Sequence, residues 1–469
     1  MFTIRLTDVP DETSTWLVPA GSPVPGEVGA EVEALAPDTG AGRVTVLPRP
    51  LRQPSRVLLA GVGDGAEADW RAAGAAAIRE VADDETLHVL IPAGLDPAAL
   101  RGLAEGLWLG GYRYRDAAKP VRSGEVRLRA DDLSRYADSL TRAEITARAV
   151  WLARDLTNTP SSVKNPEWFA AQVVAEAASR PGLTVTVRAG DELERFGGLR
   201  AVGGGSVTPP RFVEVSWRPD GATTHVALVG KGITFDTGGI SIKPRDSMKL
   251  MKKDMGGAAA VAAATLAAAD LNLPVRVTAL LPLAENAVGA AAFRPGDVIT
   301  HYDGSTSENT NSDAEGRLVL ADALGYSAEH VRPDLTVTVA TLTGANAVAL
   351  GKRTAALLTP DDDLATALTA AGTAAGEQIW RLPLSDDYTE LMRSDIADRV
   401  NASPGPGVVM AALFLRDFFG DTRWAHFDMS APSWAEADDA ELTKGATGWG
   451  ARTLLRWLSA LDGGQQAGA

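Results

Sequence analysis

Apolar positions in the first 130 residues fall into two kinds of run. Segments 2–6, 44–47, 57–60, 87–91 and 126–128 have strand length, while 66–82 and 97–107 repeat apolar residues every three or four positions and predict helices. The alternation predicts a small α/β domain over residues 1–132. From 133 to 155 the pattern is helical throughout. Leu140, Ala143, Ala147 and Val150 form one stripe and Arg142, Glu144 and Arg148 lie off it, so 133–157 reads as a long linker helix stopping at Asn158-Thr-Pro160. Asn165 and Pro166 then suit the N-cap and first position of a helix over 167–179.

Strands at 183–187, 212–216, 226–229, 275–281 and 335–341 alternate with helices at 257–269 and 318–330. This predicts a C-terminal domain over 158–469 with a central, mostly parallel sheet flanked by helices and ligands at the carboxyl ends of its strands. Lys231 and Asp236 directly follow one such strand, and residues 341–344 end another.

Composition narrows the chemistry. With 469 residues, 45% apolar and 22% charged, the chain can bury more than one core. A net charge of −15 argues against nucleic acid or an anionic membrane as the main partner and suits divalent metals and free amines. There is no cysteine, which excludes disulfides and thiolate sites. Residues 1–8 lack the basic and apolar regions of a secretory signal, and the longest apolar run, 258–269, is too short to span a bilayer, so a soluble, cytoplasmic protein is expected. The five histidines, at 88, 225, 301, 330 and 426, form no HExxH and no close pair, and are read as surface or supporting residues. Any metal site must then be built from carboxylates and lysine.

Two polar clusters in apolar, glycine-rich surroundings supply them. In Asn311-Ser-Asp-Ala-Glu-Gly-Arg-Leu318, an extended first half would put Asp313, Glu315 and Arg317 on one face, whereas Ser312 and Glu315 fit a helix capping box ahead of an apolar run. Upstream, Lys231, Asp236, Lys243 and Asp254 punctuate a segment framed by glycines 230, 232, 238, 239, 256 and 257. If Asp236, Asp254, Asp313 and Glu315 converge, four carboxylates repel unless protonated or neutralised, and two divalent ions would cancel them. Hard oxygen donors suit Mg, Mn or Zn, in the arrangement of a two-metal hydrolase. Lys231 is then interpretable as a ligand, with Lys243 and Arg317 as fixed positive charges that stabilise a developing oxyanion.

The segments Gly230-Lys-Gly-Ile-Thr-Phe-Asp-Thr-Gly-Gly239, Met251-Lys-Lys-Asp-Met-Gly-Gly-Ala-Ala259 and Asn311-Ser-Asp-Ala-Glu-Gly-Arg-Leu318 resemble the leucine (cytosol) aminopeptidases. The likeness continues in Arg294-Pro-Gly-Asp297, Thr341-Leu-Thr-Gly-Ala345 and Ala446-Thr-Gly-Trp-Gly450 and covers about residues 150–460. It implies a two-metal site, with Asp236 and Glu315 bridging, Asp313 on one ion, and Lys231 and Asp254 on the other. It further implies that Lys243 polarises the scissile carbonyl and that Arg317 anchors a bicarbonate acting as general base toward a bridging water. Met251, Thr341 and Gly344 match positions lining the pocket for the first side chain, which favours leucine and other apolar residues. A homohexamer acting on short peptides, with the N-terminal domain serving assembly, is implied as well. Two departures stand out: Ser312 replaces the family's usual threonine, and Glu308-Asn309-Thr310 is more polar than its usual aliphatic strand. The rivals are a non-enzymatic scaffold, which predicts damage at the ligand or cation positions, and a phosphoesterase, which would draw on histidine. All seven charged positions are intact.

Overall fold

The structure is a computed structural model that describes the whole chain except residues 12, 25–26, 115–123 and 464–469. It divides into two compact units, Met1–Trp151 with Ala435–Gly445, and Leu152–Trp434 with Ala446–Ala469.

In the first unit, strands β1 (Thr3–Thr7), β2 (Thr15–Pro19), β3 (Val44–Pro48), β4 (Arg56–Ala60), β5 (Leu87–Leu90) and β6 (Glu125–Arg129) form a sheet in the order β1-β6-β5-β2-β4-β3. All pairings in it are parallel except β3 with β4. Helices α1 (Glu27–Leu35), α2 (Glu67–Arg79) and α3 (Pro97–Gly110) connect the strands. Val28 and Val32 of α1 pack on Trp16, Val18, Val57 and Leu59. On α3, Gly102, Gly106 and Gly110 recur every fourth residue, and a Cβ at each would stand 2.2, 2.0 and 2.5 Å from backbone atoms of Glu67, Arg71 and Ala75. Missing side chains let α2 and α3 touch backbone to backbone. Helix α4 (Ala137–Asn158) runs in sequence across the unit boundary.

The second unit continues through α5 (Pro166–Ala177), β7 (Leu183–Arg188), α6 (Gly197–Gly203), β8 (Arg211–Trp217), β9 (His225–Gly230), β10 (Gly232–Asp236), α7 (Arg245–Met248), a 3-10 turn (Met251–Lys253) and α8 (Gly256–Asp270). Next come β11 (Arg276–Asn286), β12 (Val298–Thr300), β13 (Thr306–Glu308), α9 (Glu315–Tyr326) and β14 (Leu335–Ala340). It ends with α10 (Ala345–Leu350), β15 (Thr354–Leu358), α11 (Asp362–Ala375), β16 (Gln378–Arg381), β17 (Arg399–Val400), α12 (Gly407–Arg416), β18 (Arg423–Asp428) and α13 (Ala451–Gly463). Its main sheet runs β16-β15-β18-β14-β9-β11-β8-β7, with β10 added beside β11. The run β18-β14-β9-β11 at its centre is parallel.

Helix α8 is alanine-rich because it lies flat on that centre. A Cβ on Gly257 would stand 2.1 Å from the Val339 carbonyl oxygen, and one on Gly230 2.6 Å from Ala258 Cα. The close seating brings the turn before α8, with Asp254, to the carboxyl ends of β9 and β14.

The expected α/β class with a mostly parallel central sheet holds. Asn165 caps α5 as expected, its side chain accepting from Trp168 N at 2.8 Å with Pro166 at the first position. Other expectations need correction. Residues 311–317 neither continue a strand nor use a capping box: Asp313 lies in a turn and α9 begins at Glu315 with no side-chain cap. The Ser312 hydroxyl is engaged instead by Gly238 and Ser241. Four of the five histidines are buried, at 88, 225, 301 and 426, so a surface placement holds only for His330.

Candidate metal centre

The charged residues of the two clusters gather where strands end and helices begin, at the carboxyl edge of the sheet. Lys231 follows β9, Asp236 ends β10, Asp254 precedes α8, and Glu315 and Arg317 sit in the first turn of α9. Asp236, Asp313 and Glu315 each offer an oxygen within 4.8 Å of the others. Asp254 joins them through Lys231, whose Nζ lies 2.8 Å from Glu315 Oε1 and 2.9 Å from Asp254 Oδ2 and donates to the Thr341 carbonyl at 3.1 Å. Lys243 Nζ lies 2.8 Å from Asp236 Oδ2 and also pairs with Asp313. The two sequence clusters therefore converge on one site.

Glycines make room for it. A Cβ on Gly316 would stand 2.4 Å from Lys231 Cε, and one on Gly239 2.9 Å from both Asn286 Oδ1 and Ser312 Oγ. Gly239 also has a positive φ of 60°, a left-handed conformation that favours glycine. Ser312 Oγ donates to Gly238 O and accepts from Ser241 N, both at 2.8 Å, so the hydroxyl shared by serine and threonine is the part in use.

The electrostatics are those of a cluster with more carboxylates than cationic side chains. Four carboxylates face two ammonium groups, all of them buried but Lys243 and the partly exposed Asp313. Burial, with Glu315 and Asp254 adding repulsion, pushes Asp236 well above the usual carboxylate range, and burial lifts Asp254 to about 6 against the pull of Lys231. Burial also raises Asp313, although Lys243 opposes it. Burial would raise Glu315 too, yet Lys231 and Lys243 outweigh it and hold this carboxyl below its ordinary value. For Lys231, burial is outweighed by Asp254 and Glu315, and for Lys243 chiefly by Asp236, so both stay protonated. Asp254 Oδ2, Asp313 Oδ1 and Glu315 Oε1 are buried oxygens that meet the lysine ammonium groups and, among the described residues, no other donor. Surplus negative charge and such poorly satisfied carboxylate oxygens fit divalent cations.

Arg317 is buried beside this cluster. Its Nη1 donates to the Asn401 carbonyl at 2.7 Å while Nε has no partner among the described residues, and burial lowers its pKa to about 10 despite Glu315 and Asp428. Thr341 Oγ1 donates to Asp254 Oδ1 at 2.7 Å, Met251 is half-buried on the turn before Asp254, and Gly344 is exposed with open space where a Cβ would stand.

The family model described as "Cytosol aminopeptidase family, catalytic domain" matches residues 151–455, and that of the same family's N-terminal domain matches 26–119. The chain belongs to the cytosol aminopeptidase family. It is a metal-dependent aminopeptidase, a hydrolase of peptide bonds. A probable cytosol aminopeptidase of Syntrophotalea carbinolica is 42% identical over 455 residues, covering 92% of this chain and 89% of the relative. One of Geobacter sulfurreducens is 41% identical over 438 residues, covering 89% and 88%. Among solved structures, the bottromycin maturation enzyme BotP in complex with Mn is 40% identical with a TM-score of 0.88, covering 96% of this chain and 100% of that one. A point mutant of tomato leucine aminopeptidase is 29% identical with a TM-score of 0.87, covering 98% and 97%.

Sequence reading missed several groups that hold this cluster and its flanking turns in place. Asn286 Nδ2 donates to Asp236 Oδ1 at 2.8 Å and to the Ser312 carbonyl at 3.0 Å, joining the two clusters. Asn401 accepts from Thr310 N at 2.8 Å and donates to Asn309 Oδ1 and the Asn311 carbonyl at 3.0 and 2.9 Å. The polar departure at 308–310 is thereby explained, since Asn309 and Thr310 bond Asn401 and Glu308 accepts from Ser394 Oγ at 2.6 Å. Asp428 accepts from Leu342 N, Thr343 N and Thr343 Oγ1 and so fixes the 341–344 turn. A signal for Asn309 lay in that departure itself. Asn286, at the end of an apolar strand, offered none.

Proposed function

We propose that this aminopeptidase releases N-terminal residues from short peptides, favouring leucine and other apolar first residues, with two divalent cations bound per subunit. The observation that carries the proposal is the convergence of Asp236, Asp313 and Glu315 within 4.8 Å, with Asp254 beside them through Lys231. Asp236 and Glu315 would serve both cations, Asp313 one of them, and Lys231 with Asp254 the other. Mn and Zn are the leading candidates, with Mg a third.

When bound, the cations supply Lewis acidity toward water and the scissile carbonyl, and a bicarbonate at Arg317 supplies a general base. The chain's own groups do the rest. Lys243 presents a positive charge to the carbonyl oxygen as negative charge develops there. Arg317 holds the anion through a guanidinium that is tethered at Nη1 and, among the described residues, free at Nε. Met251, Thr341 and Gly344 line the pocket for the first side chain, and the Thr341–Asp254 hydrogen bond ties that pocket to the metal shell. A homohexamer, an assembly role for the N-terminal unit and a cytoplasmic location belong to the same reading. Among the described residues no helix is long and apolar enough to cross a membrane.

The test is dialysis against chelator, followed by assay of leucine p-nitroanilide hydrolysis with Mn or Zn restored. Activity is expected to vanish and return with metal. Failure with every metal on several apolar and basic aminoacyl substrates would overturn the proposal and favour a scaffold role.

A further inference from the structure

Lys164 is fully buried, and among the described residues no carboxylate lies within ion-pair reach of it. Its Nζ donates to the Thr157 carbonyl at 3.0 Å and the Lys252 carbonyl at 2.5 Å, and lies 3.1 Å from Met255 Sδ. An amine without a counter-ion in such a place is costly, so its partners show what it is kept for. Thr157 closes the last turn of α4, whereas Lys252 and Met255 flank Asp254 on either side. Burial, with Lys252 nearby, pushes the Lys164 ammonium well below its ordinary value. The neutral amine still carries two N–H donors for two carbonyls, so the clamp works in either protonation state.

The same turn is held twice more by its own side chains. Lys252 Nζ donates to the Asn158 carbonyl at 2.9 Å, and Lys253 Nζ to the Ser430 carbonyl at 2.7 Å and Ser433 Oγ at 3.1 Å. Asp254 needs such support more than Asp236 does. Asp236 Oδ1 takes two donors, from Gly238 N and Asn286, whereas the hydrogen bonding of Asp254 rests on Thr341, with its Oδ2 facing only the Lys231 ammonium.

We propose that Lys164 is a positioning residue of the metal centre, holding the Asp254 carboxylate in place by clamping the Lys252–Met255 turn to the end of α4. This rests on the two-cation reading above. The decisive comparison is calorimetric Mn titration of the chelated full-length protein and its Lys164→Met variant, with thermal melting of both chelated forms. Methionine keeps the apolar stem and removes the donors. The expected result is a melting temperature close to that of the parent, with one of the two Mn sites weakened about tenfold or more and the other unchanged. Two Mn sites in the parent and identical affinities in the variant would overturn the inference, whether or not the variant melted lower. A parent that bound no Mn would instead sink the two-cation reading itself. Should Lys164→Met not fold, Lys164→Gln keeps a polar group at the buried position on a stem too short to span both carbonyls. Two Mn sites with unchanged affinities in that variant would equally overturn the clamp.

Discussion

At the scale of single residues, the site depends on absences as much as on charges. Gly316 has no side chain because Lys231 occupies the space, with Cε 2.4 Å and Nζ 2.7 Å from where a Cβ would stand. Gly316→Ala is therefore expected to push Lys231 off Glu315 and Asp254, costing about 1–3 kcal/mol in urea unfolding of the chelated protein and weakening Mn binding at least tenfold. Gly344→Ala is the matched contrast. Its φ is −66° and nothing lies within 4 Å of the added methyl, so stability should stay within about 0.5 kcal/mol of the parent. If Gly344 borders the first-residue pocket, its alanine variant should raise KM for leucine p-nitroanilide more than for the alanine substrate. Equal KM changes would remove Gly344 from the pocket. The charged residues were legible in sequence because they interrupt an apolar, glycine-framed segment. Asn286 and Lys164 were not, since each acts on a residue far away in the chain: 50 positions separate Asn286 from Asp236, and 91 separate Lys164 from Met255.

At the scale of elements, the strands and helices read from periodicity lie close to where the structure has them, no element was read beyond residue 341, and the misses near the site have physical causes. β2 is buried at all five positions and ends in proline, so it shows neither alternation nor a long apolar run. β10 is a short strand of glycine, threonine and aspartate beside apolar residues, whose pairing with β11 comes from the tertiary fold. The strand reading of 311–317 failed because Ser312 bonds across to Gly238 and Ser241 and turns the chain, so that Glu315 arrives from the start of α9. Three carboxylates meet through turn and helix, which sequence alternation cannot represent. The segment 399–402 is the counterpart holding that turn. Asn401 receives Thr310 N and Oγ1, donates to Asn309 and Asn311, and offers its carbonyl to Arg317. Asn401→Ala should leave several buried polar groups unpaired, at about 1–3 kcal/mol for each one water does not reach. Hydrogen exchange over 309–313 should quicken and kcat/KM fall at least tenfold. Protection unchanged across that peptide would show that Asn401 does not hold the turn.

At the scale of the whole molecule, pH separates the two kinds of buried ionisable group. His426, pushed down to about 3 by burial and then by Arg317, and His225, pushed down to about 4 by burial and then by Arg276 and Arg218, stay neutral in the folded chain. Their unfolded value is near 6.5, so below it the unfolded chain binds more protons. Their contribution is full above about 6.5 and is lost as pH falls toward 4, at up to about 1.4 kcal/mol per pH unit for each histidine. The raised carboxylates of the chelated protein work in the opposite sense. Asp254 is raised to about 6 and Asp236 and Asp313 are raised as well, so these groups contribute stability at low pH that is lost as pH rises through their folded values. A single melting curve against pH therefore mixes two slopes of opposite sign. Comparing the parent with His426→Gln, both chelated, cancels the carboxylates and isolates one histidine. Glutamine cannot titrate and can keep a hydrogen bond to Thr338 Oγ1, which His426 Nδ1 now makes at 2.7 Å. The parent should lose stability relative to the variant as pH falls from 6.5 to 4, and the difference should level off above 6.5. A constant difference across that range would mean that His426 protonates as readily in the folded chain as in the unfolded one, in spite of its burial.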